Sequence, residues 1–137
     1  MMMKHALLLT LAAGLALAAC GDQPSDAGAV PAARYDAAAA RVIEVKLVTD
    51  EKGNYFEPAQ VTARRGDVLR LTLVSGVHNL SFPADANPPG AVLPPPTDFL
   101  QIAGQRVDVP VTMAPGEYNF HCLPHAPFGM TGTLTVR

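Results

Sequence analysis

Four side chains that can bind a soft metal ion stand out in the sequence. Cys122, His125 and Met130 follow one another with the spacing Cys-x2-His-x4-Met near the C-terminus, and His78 lies upstream. A thiolate, two imidazoles and a thioether do not suit calcium or magnesium, which take oxygen ligands. They are donors for a soft or borderline transition metal. These four residues are therefore the candidate metal ligands.

The donor types discriminate between the metals that remain. Structural zinc prefers four strong donors from thiolate and imidazole, and a methionine adds little for it. A trigonal set of two histidines and one cysteine with a weak axial methionine is the blue-copper arrangement. Cu(I) favours soft sulfur and Cu(II) accepts imidazole, so a rigid site that partly suits both states changes valence with little nuclear motion. The set predicts one copper ion per chain that alternates between Cu(I) and Cu(II) and carries single electrons.

The residues that must position this set lie on short segments with alternating hydrophobicity. A period of two is typical of half-buried strands, and turn residues separate the segments. The predicted strands run from Arg41 up to Asp50, from Tyr55 to Ala63 with a break at Pro58, and over Val68–Val74, Val77–Phe82, Val107–Met113, Glu117–Cys122 and Met130–Val136. A proline-rich stretch over 83–96 cannot form a central strand and is predicted to be a surface loop. We expect an all-β Greek-key sandwich of about seven to eight strands.

The same alternation predicts which way the candidate ligands point. Each of three candidates shares its phase with two apolar residues of its own strand: Cys122 with Tyr118 and Phe120, Met130 with Leu134 and Val136, and His78 with Leu80 and Phe82. An unpartnered polar group on such a buried face is costly, and a metal would satisfy it. The alternatives are an inert buried cysteine, a core histidine bonded to the backbone and a methionine that only packs. His121 has the opposite phase and is predicted to face away from the site.

Two longer stretches carry a family resemblance. The segment YNFHCLPHAPFGMTGTLTV resembles the C-terminal copper motif of the plastocyanin-like (cupredoxin) family, and GVHNLSF resembles the segment with its first histidine. FEPAQVTARRGDVLRLTL is similar to the early strands, so the resemblance covers about 41–137. It implies that His78 and His125 are nitrogen ligands, Cys122 the thiolate and Met130 the axial thioether. It also implies that Asn79 ties the two ligand-bearing loops together and supplies a backbone N–H to the cysteine sulfur.

Apolar residues surround His125 on its loop. They are Leu123, Pro124, Ala126, Pro127 and Phe128. One interpretation is simple loop packing. The other is a flat apolar patch through which a transient redox protein partner approaches the edge of His125.

The N-terminal segment is typical of a bacterial lipoprotein. Residues 1–19 combine an early lysine with an apolar run that is too short to span a membrane, which indicates a cleaved signal peptide. Leu17-Ala18-Ala19-Cys20 resembles a lipobox, so we expect lipid attachment at Cys20, a flexible tether over 20–40 and a copper domain over 41–137. This predicts a membrane-anchored protein of the periplasm or cell envelope. The alternative is an ordinary secreted protein whose signal ends near a cysteine.

Other classes of function are less well supported. The formal net charge is −2 and basic residues do not cluster beyond Arg64 and Arg65, so nucleic acid is not an expected partner. An enzyme is not expected either, because oxygen or nitrite chemistry needs open coordination positions or further coppers, and three histidines remain once the signal leaves. The main alternative to an electron carrier is a periplasmic copper-binding or delivery protein. A monomer suits a carrier that docks transiently.

Overall fold

The computed structural model describes residues 39–137. Within this range the chain forms seven strands and two short 3₁₀ turns. The strands are β1 (Val42–Asp50), β2 (Gly53–Glu57), β3 (Gln60–Ala63), β4 (Val68–Leu73), β5 (Arg106–Pro110), β6 (Gly116–His121) and β7 (Thr131–Val136), and the turns are Ala84–Ala86 and Ala126–Phe128. The predicted signal peptide, Cys20 and all but the last two residues of the predicted tether lie outside the described residues. In the described range, no helix has the length and apolar character needed to cross a membrane.

The strands of this range form two sheets, one in the order β2-β1-β4-β5 and one in the order β3-β7-β6. β1 runs parallel to β4 and β3 runs parallel to β7, whereas the other neighbours are antiparallel. Strands that are distant in sequence are thus neighbours in both sheets, as in a sandwich with crossover connections. The prediction of an all-β sandwich of about seven to eight strands is confirmed.

The core lies between the sheets and follows the predicted alternation. In β4, Leu69, Leu71 and Leu73 are buried, while Arg70 lies on the outer face. Arg70 makes two 2.8 Å hydrogen bonds to Asp108 on the neighbouring strand β5. Because burying a leucine side chain contributes about 1.5–3 kcal/mol, the inner face carries most of the stability of this strand.

The chain changes sheets at the predicted break. Pro58 lies between β2, in the four-stranded sheet, and β3, in the three-stranded sheet. Proline has no N–H for a strand ladder, so the ladder that β2 makes with β1 ends before it. The predicted interrupted strand is therefore two strands on opposite sides of the core.

The predicted strand Val77–Phe82 is wrong. This segment forms only two isolated bridges, one from His78 to Leu100 and one from Ser81 to His121. The first partner belongs to the loop before β5 and the second to β6, so the segment crosses from one sheet to the other and cannot form one continuous ladder. All five residues of 78–82 are buried because protein surrounds both sides of this crossing.

The proline-rich stretch over 83–96 is irregular, as predicted, and it covers an edge of the second sheet. Asn87 is buried, and its side-chain amide pairs with the backbone of Asn119 on β6. The Asn87 Nδ2 donates to the Asn119 carbonyl at 2.9 Å, and its Oδ1 accepts from the Asn119 N–H at 2.7 Å. The amide therefore takes the place of a neighbouring strand along the open edge of β6.

Candidate metal centre

The loop between β6 and β7 is held in shape by its own backbone. Cys122 directly follows β6 and is fully buried, and its N–H donates to the Met130 carbonyl at 3.1 Å. Its carbonyl accepts from the N–H groups of His125 and Ala126 at 3.1 and 2.8 Å. The N–H of Met130 donates back to the His125 carbonyl at 3.1 Å, and Gly129 closes the turn with a φ of 86°, a left-handed conformation that favours glycine. The three candidate ligands on this loop therefore have fixed backbone positions.

Three donor atoms converge at this loop. The Cys122 Sγ lies 3.6 Å from the His78 Nδ1 and 3.5 Å from the His125 Nδ1, and the two Nδ1 atoms are 3.1 Å apart. Among the described residues this is the single group of three metal-ligating side chains of histidine, cysteine, aspartate or glutamate. The sequence placed His78 and Cys122 far apart, and the crossing segment brings them together.

The triangle has the size of a metal site. A point equidistant from the corners of a triangle with sides of 3.6, 3.5 and 3.1 Å lies about 2.0 Å from each corner. Metal–imidazole bonds for a late first-row ion such as zinc are about 2.0–2.1 Å, and the zinc–thiolate bond is about 2.3 Å. The donor set therefore fits a copper ion in both chemistry and spacing.

Met130 is the fourth candidate and is also fully buried. It directly precedes β7, in phase with the buried Leu134 and Val136. Its backbone is hydrogen-bonded to the backbones of Cys122 and His125, which carry two of the three donor atoms. A thioether at this place is available as a weak additional donor.

The surroundings of the triangle shift the proton affinity of its members. Burial lowers the pKa of the His78 imidazole, the neighbouring His125 lowers it further, and a backbone hydrogen bond at Ser75 acts in the opposite direction. Burial raises the pKa of the Cys122 thiol, and backbone hydrogen bonds from Asn79 and His125 act against that rise. Metal binding needs neutral imidazoles and a thiolate. The surroundings favour the neutral form of His78, whereas the thiolate form of Cys122 has to be stabilised by the bound cation.

Asn79 joins the two ligand-bearing segments. Its side-chain Oδ1 accepts from the Leu123 N–H at 2.9 Å, and its Nδ2 donates to the Thr97 carbonyl at 3.4 Å. Its backbone also hydrogen-bonds to Cys122. These contacts connect the segment that carries His78 to the loop that carries Cys122. The side chain is buried, so its two bonds replace the water that it gave up on folding.

The apolar residues around His125 are at the surface. Leu123 and Phe128 expose 47% and 75% of their areas, Pro124 and Pro127 are exposed, and Ala126 and His125 are half-buried. His121 is half-buried and is not part of the triangle. Along β6 it is out of phase with the buried Tyr118 and Phe120.

Sequence reasoning missed one polar neighbour of the triangle. The Thr49 hydroxyl lies 2.9 Å from the His78 Nε2, although the residues are 29 positions apart. No motif or periodicity marks Thr49, since it occupies an exposed position near the end of β1.

A family model described as copper binding proteins of the plastocyanin/azurin family matches residues 43–137. The chain belongs to this family. Plastocyanin A/B of Petroselinum crispum is 36% identical over 96 residues, which cover 68% of this chain and 98% of that protein. Oxidised plastocyanin from Dryopteris crassirhizoma superposes with a TM-score of 0.55 at 33% identity, covering 69% of this chain and all of that one. Pseudoazurin from Methylobacterium extorquens AM1 gives a TM-score of 0.52 at 27% identity, covering 69% of this chain and 74% of that one.

Membership settles the cofactor and the class of function. The family binds copper, and its plastocyanin and pseudoazurin members are electron carriers. The protein is therefore a copper-binding electron carrier with one ion per chain and is not an enzyme. The predictions of copper and of a cupredoxin are confirmed.

Proposed function

We propose that the protein carries single electrons between redox partner proteins outside the cytoplasm, as a monomer with one copper ion held by His78, Cys122, His125 and Met130. The observation that carries this proposal is the triangle of one sulfur and two Nδ1 atoms with sides of 3.1–3.6 Å. Copper, when bound there, supplies a one-electron couple.

The role of the protein in this function is to hold the donors still. The Cys122, His78 and Met130 side chains have no solvent exposure, and backbone hydrogen bonds fix the loop that carries two of them. A side chain in a close-packed interior cannot move without disturbing its neighbours. The donor geometry therefore changes little between the two valence states, which keeps the barrier to electron transfer low.

We further propose that electrons enter and leave at His125. It is the one member of the triangle that reaches the surface, and the exposed apolar side chains of Leu123 and Phe128 flank it. Such a patch suits brief docking of a partner, because apolar contact over a small area gives modest affinity.

The copper-delivery alternative is less favoured by the same burial. A protein that hands over its ion needs donors that an acceptor can reach, whereas three of the four proposed ligands are fully buried. Copper release to a strong chelator should therefore be slow. Rapid and complete transfer to a physiological acceptor, with no reduction by any periplasmic donor, would support delivery instead.

For its location, we propose a lipoprotein of the periplasm or cell envelope, with the signal peptide over 1–19 removed, lipid on Cys20 and a tether over 20–40. The sequence of 1–20 supports this, since the apolar run ends in Leu17-Ala18-Ala19-Cys20. Mass spectrometry of the N-terminal peptide should show Cys20 as the first residue with acyl chains. Cys20→Ser should release the protein from membrane fractions, and an unmodified N-terminus elsewhere would contradict the anchor.

Electronic spectroscopy tests the electron-carrier proposal. The Cu(II)-loaded protein should show an intense visible thiolate-to-copper charge-transfer band that disappears on reduction and returns on oxidation. Cys122→Ser should remove the band. A protein that binds Cu(II) without such a band would overturn the proposed ligand set.

A further inference from the structure

The nitrogen of His78 that does not face Cys122 meets a hydroxyl group. The His78 Nε2 lies 2.9 Å from the Thr49 Oγ1, and the same Oγ1 lies 2.6 Å from the Asn54 Oδ1. Thr49 and Asn54 are directly opposed on the paired strands β1 and β2. A short chain of hydrogen bonds thus runs from the buried ring to the sheet edge.

The chemistry of these groups sets the direction of the chain. The Asn54 Oδ1 only accepts, so the Thr49 hydroxyl gives its one proton to Asn54 and keeps its lone pairs for His78. The His78 Nε2 must then donate. A neutral imidazole with its proton on Nε2 has its free lone pair on Nδ1, which is the atom that faces the Cys122 Sγ at 3.6 Å.

Thr49 is itself held in place from two sides. Its N–H donates to the Ser75 Oγ at 2.9 Å, and the Ser75 hydroxyl donates to the Thr49 carbonyl at 2.6 Å. Gly76 leaves the space that this arrangement needs, because a Cβ there would overlap the Thr49 Oγ1 and lie 2.7 Å from the His78 Nε2. With a φ of 86°, Gly76 also has a backbone conformation that favours glycine.

We propose that Thr49, oriented by Asn54, is a positioning residue of the copper site: it holds the His78 ring in the orientation and tautomer that present Nδ1 to the metal. This inference rests on the proposed function, since it assumes that His78 is a ligand. The backbone at Ser75 also hydrogen-bonds to the ring. The hydroxyl adds a second, side-chain restraint on the ring, which a substitution can remove.

The first test compares copper affinities. Thr49→Val keeps the shape of the side chain and removes the hydroxyl, and Thr49→Ser restores the hydroxyl. Removing an outer hydrogen-bond partner of a metal-bound histidine typically weakens metal binding by about 10–100-fold. We expect a loss in this range for the valine variant in competition with a Cu(II) chelator, and near-normal affinity for the serine variant. Thr62→Val, at an exposed position of β3, is the matched control and should bind like the wild type.

The second test needs no substitution. Nitrogen-15 chemical shifts of the metal-free protein should show the His78 proton on Nε2, the atom that lies 2.9 Å from the Thr49 hydroxyl. A His78 proton on Nδ1 would overturn the inference, and so would a folded Thr49→Val variant with wild-type copper affinity. If the wild-type protein itself lacks the thiolate band, the proposed function fails. If the wild type has the band and Thr49→Val binds equally well, only the role of Thr49 fails.

Discussion

Replacing Asn79 by alanine should lower the free energy of unfolding without removing a proposed metal donor. The substitution deletes the acceptor of the Leu123 N–H and the donor to the Thr97 carbonyl, while the backbone bond from Asn79 to Cys122 remains. A lost hydrogen bond costs about 0.5–1.5 kcal/mol, and a donor left unsatisfied costs about 1–3 kcal/mol. Because the 3.4 Å bond is weak, most of the effect comes from the Leu123 N–H, and we expect a total of about 2–3 kcal/mol.

Thermal unfolding of the metal-free and copper-loaded forms measures this effect. A loss of about 2–3 kcal/mol should lower the Tm of a domain of this size by about 10–20 °C. The visible band of the copper-loaded variant should persist, because all four proposed donors are intact, and copper should leave the variant faster than it leaves the wild type.

Asn119→Ala is the matched control for this prediction. The Asn119 side chain is exposed and makes one hydrogen bond, to the Ala86 carbonyl at 2.8 Å. Its loss should cost no more than about 0.5 kcal/mol. If Asn79→Ala is no less stable than Asn119→Ala, the Asn79 side chain does not tie the two ligand-bearing segments together.

Three further predictions concern acid stability, the covered sheet edge and the surface patch. The Arg41 side chain lowers the pKa of Asp67 to about 2. The ionised Asp67 carboxylate therefore stabilises the fold fully at pH values above the pKa of an unperturbed aspartate. That contribution should be lost as the pH falls from about 4 to about 2. Asp67→Asn should therefore make the free energy of unfolding less dependent on pH in this range. An unchanged pH dependence would contradict the lowered pKa of Asp67. Asn87→Ala removes three hydrogen bonds, including both to Asn119. Chemical unfolding should show a free energy of unfolding lower by about 2–4 kcal/mol. Light scattering should show more aggregation, because the edge of β6 is then uncovered. Wild-type stability would show that the loop does not protect this edge. Phe128→Ser should leave the stability and the visible band unchanged, because the ring is 75% exposed, yet slow electron self-exchange by about tenfold, measured by NMR line broadening. An unchanged rate would place the docking surface elsewhere.

Local alternation predicted much of the site. Strand periodicity alone placed Cys122 and Met130 on buried faces, and both side chains are fully buried. It succeeded because β6 and β7 pair along their whole lengths, so a period of two decides which residues face the core.

Alternation also predicted that His78 is buried, which is correct. The strand Val77–Phe82 on which that prediction was based does not form. Residues 78–82 do not alternate, since Asn79 and Ser81 are buried together with their apolar neighbours. A segment that crosses between sheets has protein on both sides, and a local pattern carries no signal of that crossing. Its partners, Leu100 and His121, are set by the topology of the whole domain.

Thr49 and Asn87 make contacts that the sequence pattern could not predict. Each acts through a side-chain hydrogen bond to a residue about 30 positions away, His78 in one case and Asn119 in the other. Neither contact changes the hydrophobic pattern or the spacing of a motif. Contacts of this kind become visible only once the sheets are assembled.

The visible absorption of the copper-loaded protein, measured beside that of Cys122→Ser, shows whether the Cys122 thiolate binds the metal. The triangle of Cys122, His78 and His125 predicts an intense thiolate-to-copper band in the wild-type Cu(II) form, reversible bleaching on one-electron reduction, and no band in the serine variant. A wild-type protein that holds one Cu(II) ion and stays colourless, or a serine variant that keeps the band, would contradict it.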